Sequence, residues 1–171
     1  MLEAARLAPS GGNAQNWFFG IITNPGMKKQ LAEAAGNQMW IATAPVVIAC
    51  CADISRDLAV VPSDDFRRTV NNMRFGKSFI DYLDQYPDRS AVSTLFENAA
   101  PLIPAEHMLL VATSYGLSGC FIGFLDVAMA NAIINLPPKQ SCLFLLPIGY
   151  PNDPTEQPEK KDLQKISFFR R

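Results

Sequence analysis

The chain has 171 residues, 49% hydrophobic and 18% charged, which is enough for one domain with a buried core and excludes a disordered tail. Lys plus Arg number 15 against 16 Asp plus Glu, so the net charge of -1 offers no electrostatic footprint for nucleic acid or an anionic membrane. No apolar run approaches the roughly 20 residues of a membrane span, the first residues lack a signal peptide's basic start and apolar stretch, and four cysteines without CxxC spacing beside a single His argue against a metal site and for reduced thiols in a cytoplasmic protein.

The opening "MLEAARLA" reads as a helix, with Leu2, Ala5 and Leu7 apolar, that stops at Pro9. No capping residue precedes it, as expected of a chain whose natural start lies further upstream. "WFFGIIT" (17–23) is aromatic and β-branched and predicts a strand. "NPGMKKQLAEAAG" (24–36) predicts a helix with Asn24 as N-cap, Pro25 at the first helical position and Gly36 at the C-terminal cap. Met27, Leu31, Ala34 and Ala35 give it one apolar face. "PVVIACCA" (45–52) is nearly all apolar, as in a strand buried on both faces. Cys50 and Cys51, as strand neighbours, point to opposite faces.

Residues 53–101 mix charges, aromatics and prolines, and predict short helices and loops forming an excursion or lid. "PAEHMLLVATSYGLS" (104–118) predicts a long helix opened by Pro104, with Glu106 in the first turn, and ended by Gly116. "GCFIGFLDVAMANAIINLP" is a Gly-bounded turn and a further helix closed by Pro137, and "SCLFLLPIGYP" (141–151) is a strand. Residues 152–171 form a polar tail that ends in "ISFFRR". Strands alternate with helices without regular βαβ spacing, so the expected class is α+β with a mixed central sheet flanked by helices.

The turn "APSGGNAQNW" (8–17) concentrates short polar groups between the first helix and the first strand. Gly11 and Gly12 permit positive φ, so backbone N–H groups can converge on one point. Ser10, Asn13 and Gln15 add donors and acceptors that suit the edge of a polar heterocycle or a phosphate. The same composition also fits a helix-terminating turn held by local Asx and Ser bonds.

In context, A-P-S-G-x-N-x-Q-x-W between a helix and an apolar strand resembles the flavin-dependent nitroreductase-like family, whose segment reads A-P-S-x-x-N-x-Q-P-W; Asn16 stands here in place of that Pro. "QMWIATAPVVIACCAD", "HMLLVATSYGLSGCFIG" and "LFLLPIGYPND" resemble further family segments, in order along almost the whole chain. The resemblance implies an interlocked homodimer with FMN at the interface and a tail (152–171) that crosses onto the partner. It implies ping-pong transfer of electrons from NAD(P)H through FMN to a nitro compound, quinone or similar acceptor, with the chemistry on the flavin rather than on a catalytic side chain. No GxSxG or HExxH motif stands in the way of that reading.

By resemblance, Ser10, Gly11, Asn13 and Gln15 lie along the flavin ring and ribityl chain. Gly119, Cys120, Phe121, Ile122 and Gly123 form a turn over the ring, acting mainly through backbone N–H groups. Lys160 and Lys161 reach the FMN phosphate, and Phe168 and Phe169 pack on the partner. Without the family, Cys120 is a small buried hydrophobe, the strand cysteines are core, and His107 lies on a polar helix face or an interface with no catalytic role. The family's upstream R-R-S-x-R segment, which clamps the phosphate, has no counterpart in the sequence, so a shortened chain with weak FMN binding is expected. The alternatives are a non-enzymatic ligand-binding relative and, ranked last, a flavin-consuming one.

Overall fold

Two runs rich in aromatic and β-branched residues become neighbouring strands in the computed structural model, which describes residues 1–152 and 158–170. A short helix α1 (Leu2–Arg6) leads through the polar turn into β1 (Trp17–Ile22). Helix α2 (Pro25–Ala34) follows, and then β2 (Val46–Asp53). Helices α3 (Phe66–Phe75), α4 (Lys77–Asp84) and α5 (Arg89–Glu97) fill the excursion, and α6 is Leu102–Ser114. The two-residue β3 (Ser118–Gly119), α7 (Val127–Ile133) and β4 (Gln140–Gly149) complete the body, and α8 (Leu163–Ile166) lies in the tail.

The sheet order is β1-β2-β4-β3, and every pairing among the described strands is antiparallel. The α+β class therefore holds, but the expected mixed sheet is corrected to an antiparallel one. The connections explain why. Ile22 ends β1 beside Val47, near the start of β2, and Asp53 ends β2 beside Gln140, the start of β4. After β2 the chain crosses to the other end of the sheet to form β3, which runs parallel to β2, but β4 lies between the two and pairs antiparallel with both, so no neighbours are parallel.

Strand alternation sorts the core into two layers. Val47, Ala49 and Cys51 face Leu31 and Ala32 of α2 and Ala130 of α7. Ile48 and Cys50 face Ala5 of α1 and Ala105, Met108 and Ala112 of α6. Each large side chain buried this way contributes about 1.5–3 kcal/mol. Cys50, Cys51 and Cys142 are core, as expected, and all stand as free thiols. Burial pushes the Cys50 thiol up to about 12, which keeps it protonated and inert.

The predicted caps of α2 are in place: Asn24 accepts from the Met27 N–H at 3.0 Å, Pro25 opens the helix, and Gly36 follows it at φ +70°. Lys28 is the surprise on that helix. It is buried, and its Nζ donates to the Ala44 carbonyl at 2.6 Å. Helix α1 is shorter than expected, and only Ala5 is buried; Leu2 and Leu7 are exposed. Helix α6 begins at Leu102, two residues ahead of the expected start, and ends at Ser114 with Tyr115 as its cap and Gly116 at φ +73° stopping it, as expected. Pro104 sits in its first turn, where no backbone N–H has an intrahelical partner to lose.

The excursion consists of short helices; three of its helical segments are begun by an aspartate, while α4 follows directly on Gly76. Asp57 accepts from Ala59 N–H, Asp65 from Arg67 N–H and Asp88 from Ala91 N–H. Arg89 donates to both carboxylate oxygens of Asp57 at 2.9 and 2.5 Å, tying α5 to the turn at Leu58–Val60. That guanidinium holds the Asp57 carboxyl below the usual carboxylate range. A lowered folded-state pKa gives stability that is present at neutral pH and lost as pH falls through it. Asp57→Asn should therefore cost about 1–3 kcal/mol at neutral pH. Chemical denaturation across a pH series should show the gap from wild type closing below the carboxylate range, where Asp57 itself protonates.

Candidate functional site

The polar turn after α1 is wound tightly. Gly12, Asn13 and Gln15 all take left-handed backbone angles, at φ +58°, +55° and +48°. Glycine does so freely; Asn tolerates it, and Gln bears a cost. Hydrogen bonds hold the shape. Asn13 N–H donates to the Ser10 carbonyl at 3.0 Å, and Gln15 N–H donates to Ser10 Oγ at 3.0 Å. Gln15 Nε2 reaches back to the Asn13 carbonyl at 3.3 Å. Ser10 and Gln15 thus brace the turn from inside. The Asn13 side-chain amide makes no hydrogen bond among the described residues, and the space beside the Cα atoms of Gly11 and Gly12 is open.

That open side faces a cleft of about 740 Å³, within the size range of small-molecule sites. Ser10, Gly11, Gly12 and Asn13 form one wall, and Arg67, Val70, Asn71 and Arg74 of α3 form the other. Trp17, Phe96 and Ile103 supply apolar surface between them. Glu97, half-buried at the end of α5, accepts a hydrogen bond from the Asn16 side-chain amide. Asn16 also takes the Asp53 N–H on its backbone carbonyl at 3.0 Å, so it joins the turn, β2 and α5. A proline at this position would have no such side chain.

Burial raises the Glu97 carboxyl above its ordinary range, opposed by the Asn16 bond and by the charges of Arg67 and Arg56. None of this wall was picked out from the sequence. The signal was there in the spacing of Arg67, Asn71 and Arg74, which places three polar side chains on one face of a helix.

The other candidate residues lie elsewhere. Gln15 is beside the cleft but does not line it. The Gly119–Gly123 turn starts at the opposite edge and the opposite end of the sheet, where Gly119 pairs with Ile148, whereas Trp17 is level with Ala52 and Ser141. With three strand spacings between the edges, Gly119 is offset by roughly 14 Å across and roughly 20 Å along the strands, and the turn runs back from there to the middle of β4 at Leu145. Ile122 is buried, and both its backbone groups bond Leu145, at 2.9 and 3.1 Å. Gly119 is required by packing, since a β-carbon there would lie 2.9 Å from Leu109 Cδ1 and 3.1 Å from the Pro147 carbonyl. Phe121 packs on the α6 layer. Cys120 is exposed, which corrects the expectation of a small buried hydrophobe. His107 Nδ1 lies 3.3 Å from the Ala4 carbonyl, at the contact of α6 with α1.

Lys160 and Lys161 are exposed, as are Phe168 and Phe169. Residues 153–157 and 171 of the expected dimer-crossing tail lie outside the described residues. Among the described residues, no group of three or more His, Cys, Asp or Glu side chains is placed to hold a metal ion, and no helix is long and apolar enough to cross a membrane.

Glu97 gives the cleft a pH dependence of known sign. A folded-state pKa raised by burial means that stability falls as pH rises through it. Glu97→Gln keeps an acceptor oxygen for Asn16 and removes the charge. Thermal melts should find the variant at least as stable as wild type above neutral pH, with its relative advantage shrinking as pH falls.

The family model described as Nitroreductase family matches residues 1–150. A protein named NADH dehydrogenase from Thermus thermophilus is 27% identical, over 99% of this chain and 83% of its own length. A Bacillus subtilis protein named FMN reductase (NAD(P)H) is 36% identical over 42% of this chain and 29% of its own length. The fold matches that of a Vibrio harveyi NADPH:FMN oxidoreductase solved with NAD+, at a TM-score of 0.67 and 21% identity, over 99% of this chain and 65% of that one. The chain thus spans most of the Thermus relative but less than two thirds of the Bacillus and Vibrio proteins. With the matched span running from the first residue almost to the end of the body, the chain belongs to the nitroreductase family.

Proposed function

We propose that this chain is an FMN-dependent oxidoreductase that passes electrons from NAD(P)H to a nitro compound, quinone or similar acceptor in ping-pong order, in the cytoplasm. The observation that carries the reading is the Ser10–Asn13 turn, which offers an unpartnered Asn13 amide and two glycine faces to an open cleft. Relatives named as FMN reductase and NADPH-flavin oxidoreductase support it.

The residues present fit a flavin. The cleft is large enough, one wall is polar and lacks β-carbons at Gly11 and Gly12, and Trp17 and Phe96 supply apolar surface. FMN, when bound, supplies a two-electron carrier between donor and acceptor. Asn13 would hydrogen-bond the polar edge of the ring while Ser10 and Gln15 keep the turn in shape. The apolar side chains would limit water around the reacting atoms. Glu97, bonded to Asn16, stands at the cleft wall with its carboxyl raised by burial.

A second copy completes the site in this reading. One chain keeps the Ser10–Asn13 turn and the Gly119–Gly123 turn at opposite edges of its sheet. A homodimer brings the 119–123 turn of one copy to the cleft of the other. The tail, with Leu163, Ile166, Phe168 and Phe169 exposed, crosses between copies, and Lys160 and Lys161 add positive charge for the FMN phosphate. The excursion at 53–101 acts as a lid over the acceptor.

Light scattering should return twice the 18.8 kDa of one chain, and Phe168→Ser with Phe169→Ser should shift the mass toward a monomer. A monomeric wild type would rule out the shared site.

Titration with FMN should give bound-flavin absorbance and turnover of NAD(P)H with a quinone. Binding without turnover would instead favour a ligand-binding role, and no binding at saturating FMN would end the flavin reading. Asn13→Ala should weaken FMN binding by about 1–3 kcal/mol. Asn13→Gly should weaken it equally while keeping the fold as stable as wild type, because glycine accepts φ +55° without strain. If Asn13→Gly bound FMN normally, the amide would have no part in the site.

A further inference from the structure

The α3 wall of the cleft carries positive charge that the fold does not use. Arg68, on the far side of α3, is taken up by Asp81 and Asp84 and donates to the Leu58 carbonyl at 2.8 Å. Arg89 is taken up by Asp57. Arg56 and Arg74, which both line the cleft, form no ion pair among the described residues. Arg74 rests 5.0 Å from the centre of the Phe75 ring. Arg67 is held by both oxygens of Asp65, each at 3.1 Å, which leaves its Nη1 buried without a partner.

Two carboxylates share the cleft. Asp65 is answered by Arg67, and Glu97 is bonded to Asn16 and shifted by burial toward its neutral form. The remaining charge is positive, and it faces the glycine turn across apolar side chains. An anionic group on a flat ring system matches that layout.

We infer that this cleft docks the phosphate of a nucleotide ligand, with Arg56 and Arg74 contacting the phosphate oxygens, Arg67 adding its field from beside Asp65, and the Gly11–Asn13 turn meeting the ring. The inference rests on the flavin reading only in sharing that turn, and it assigns α3 a role in choosing the ligand. Two ligands of the proposed reaction carry such a group: FMN itself, and NADPH through its 2′-phosphate. Guanidinium–phosphate bonds are charge-assisted and strong, and they weaken with salt.

The test is a set of titrations on the full chain and on the double variant Arg56→Gln/Arg74→Gln, whose two side chains are exposed and cap no helix. Melts confirm that the variant folds. If the flavin phosphate docks here, wild type should bind FMN at least roughly tenfold more tightly than riboflavin, and the variant should lose that preference. If the dinucleotide docks here, the arginine variant should keep the wild-type preference for FMN over riboflavin. Wild type should then prefer NADPH over NADH by a similar factor, again lost in the variant. Lys29→Gln/Lys139→Gln, two exposed cations outside the cleft, should leave either preference intact; loss there with retention in the arginine variant would overturn the inference. So would equal preferences in wild type and arginine variant for both ligand pairs. Failure of any flavin to bind would overturn the flavin reading alone. Inorganic pyrophosphate then decides the anion site: it should raise the melting temperature of wild type and not of the arginine variant, and no rise in wild type would refute the site.

Discussion

Two-sided burial of β2 is the constraint on which this structure depends. The run from Val46 to Asp53 has no face left for water, so it needs a strand on each side and a helical layer above and below. Small side chains at Ala49, Cys50, Cys51 and Ala52 let those layers approach closely. With the sheet pinned there, its flanking strands have fixed ends, and the polar turn is delivered to one end of the sheet by β1. The cleft is therefore a by-product of where β1 must start, walled on its other side by whatever the excursion places against that end.

Local signals in the sequence located most of the scaffold. Asn24, Pro25 and Gly36 bracketed α2 because caps are local chemistry, legible without knowledge of the fold. The aromatic and apolar runs at 17–22 and 46–53 are strands because neither holds a proline to remove a ladder donor. The misses share a different cause. Sheet direction depends on where each connection returns, which no single segment encodes. Lys28 is buried because the Ala44 carbonyl, 16 residues away, needs a donor. The start of α6 was misplaced because proline is tolerated throughout a first turn and not only at its first residue.

The site divides in the same way. Ser10, Gly11 and Asn13 were legible because glycine and short amides in a turn have few structural uses besides tight winding and ligand contact. Their distance from Gly119–Gly123 was not legible, because it is set by strand order. The charged wall was hidden within a stretch that reads as ordinary helix. Arg67, Arg68 and Arg74 look alike in sequence, yet Arg68 is bound up in ion pairs while Arg74 has none among the described residues. Only the packing of α3 against α4 separates a structural arginine from an available one.

The hydrogen bond between Asn16 and Glu97 ties two regions that a sequence comparison would treat as independent modules. One is the short turn before β1; the other is the last helix of the excursion. An excursion placed here without a carboxylate opposite Asn16 would leave that side-chain donor unmet at the cleft wall. Rebuilding this region is therefore not a cut at two loop ends. Positions 16 and 97 have to be chosen together, even though 81 residues separate them.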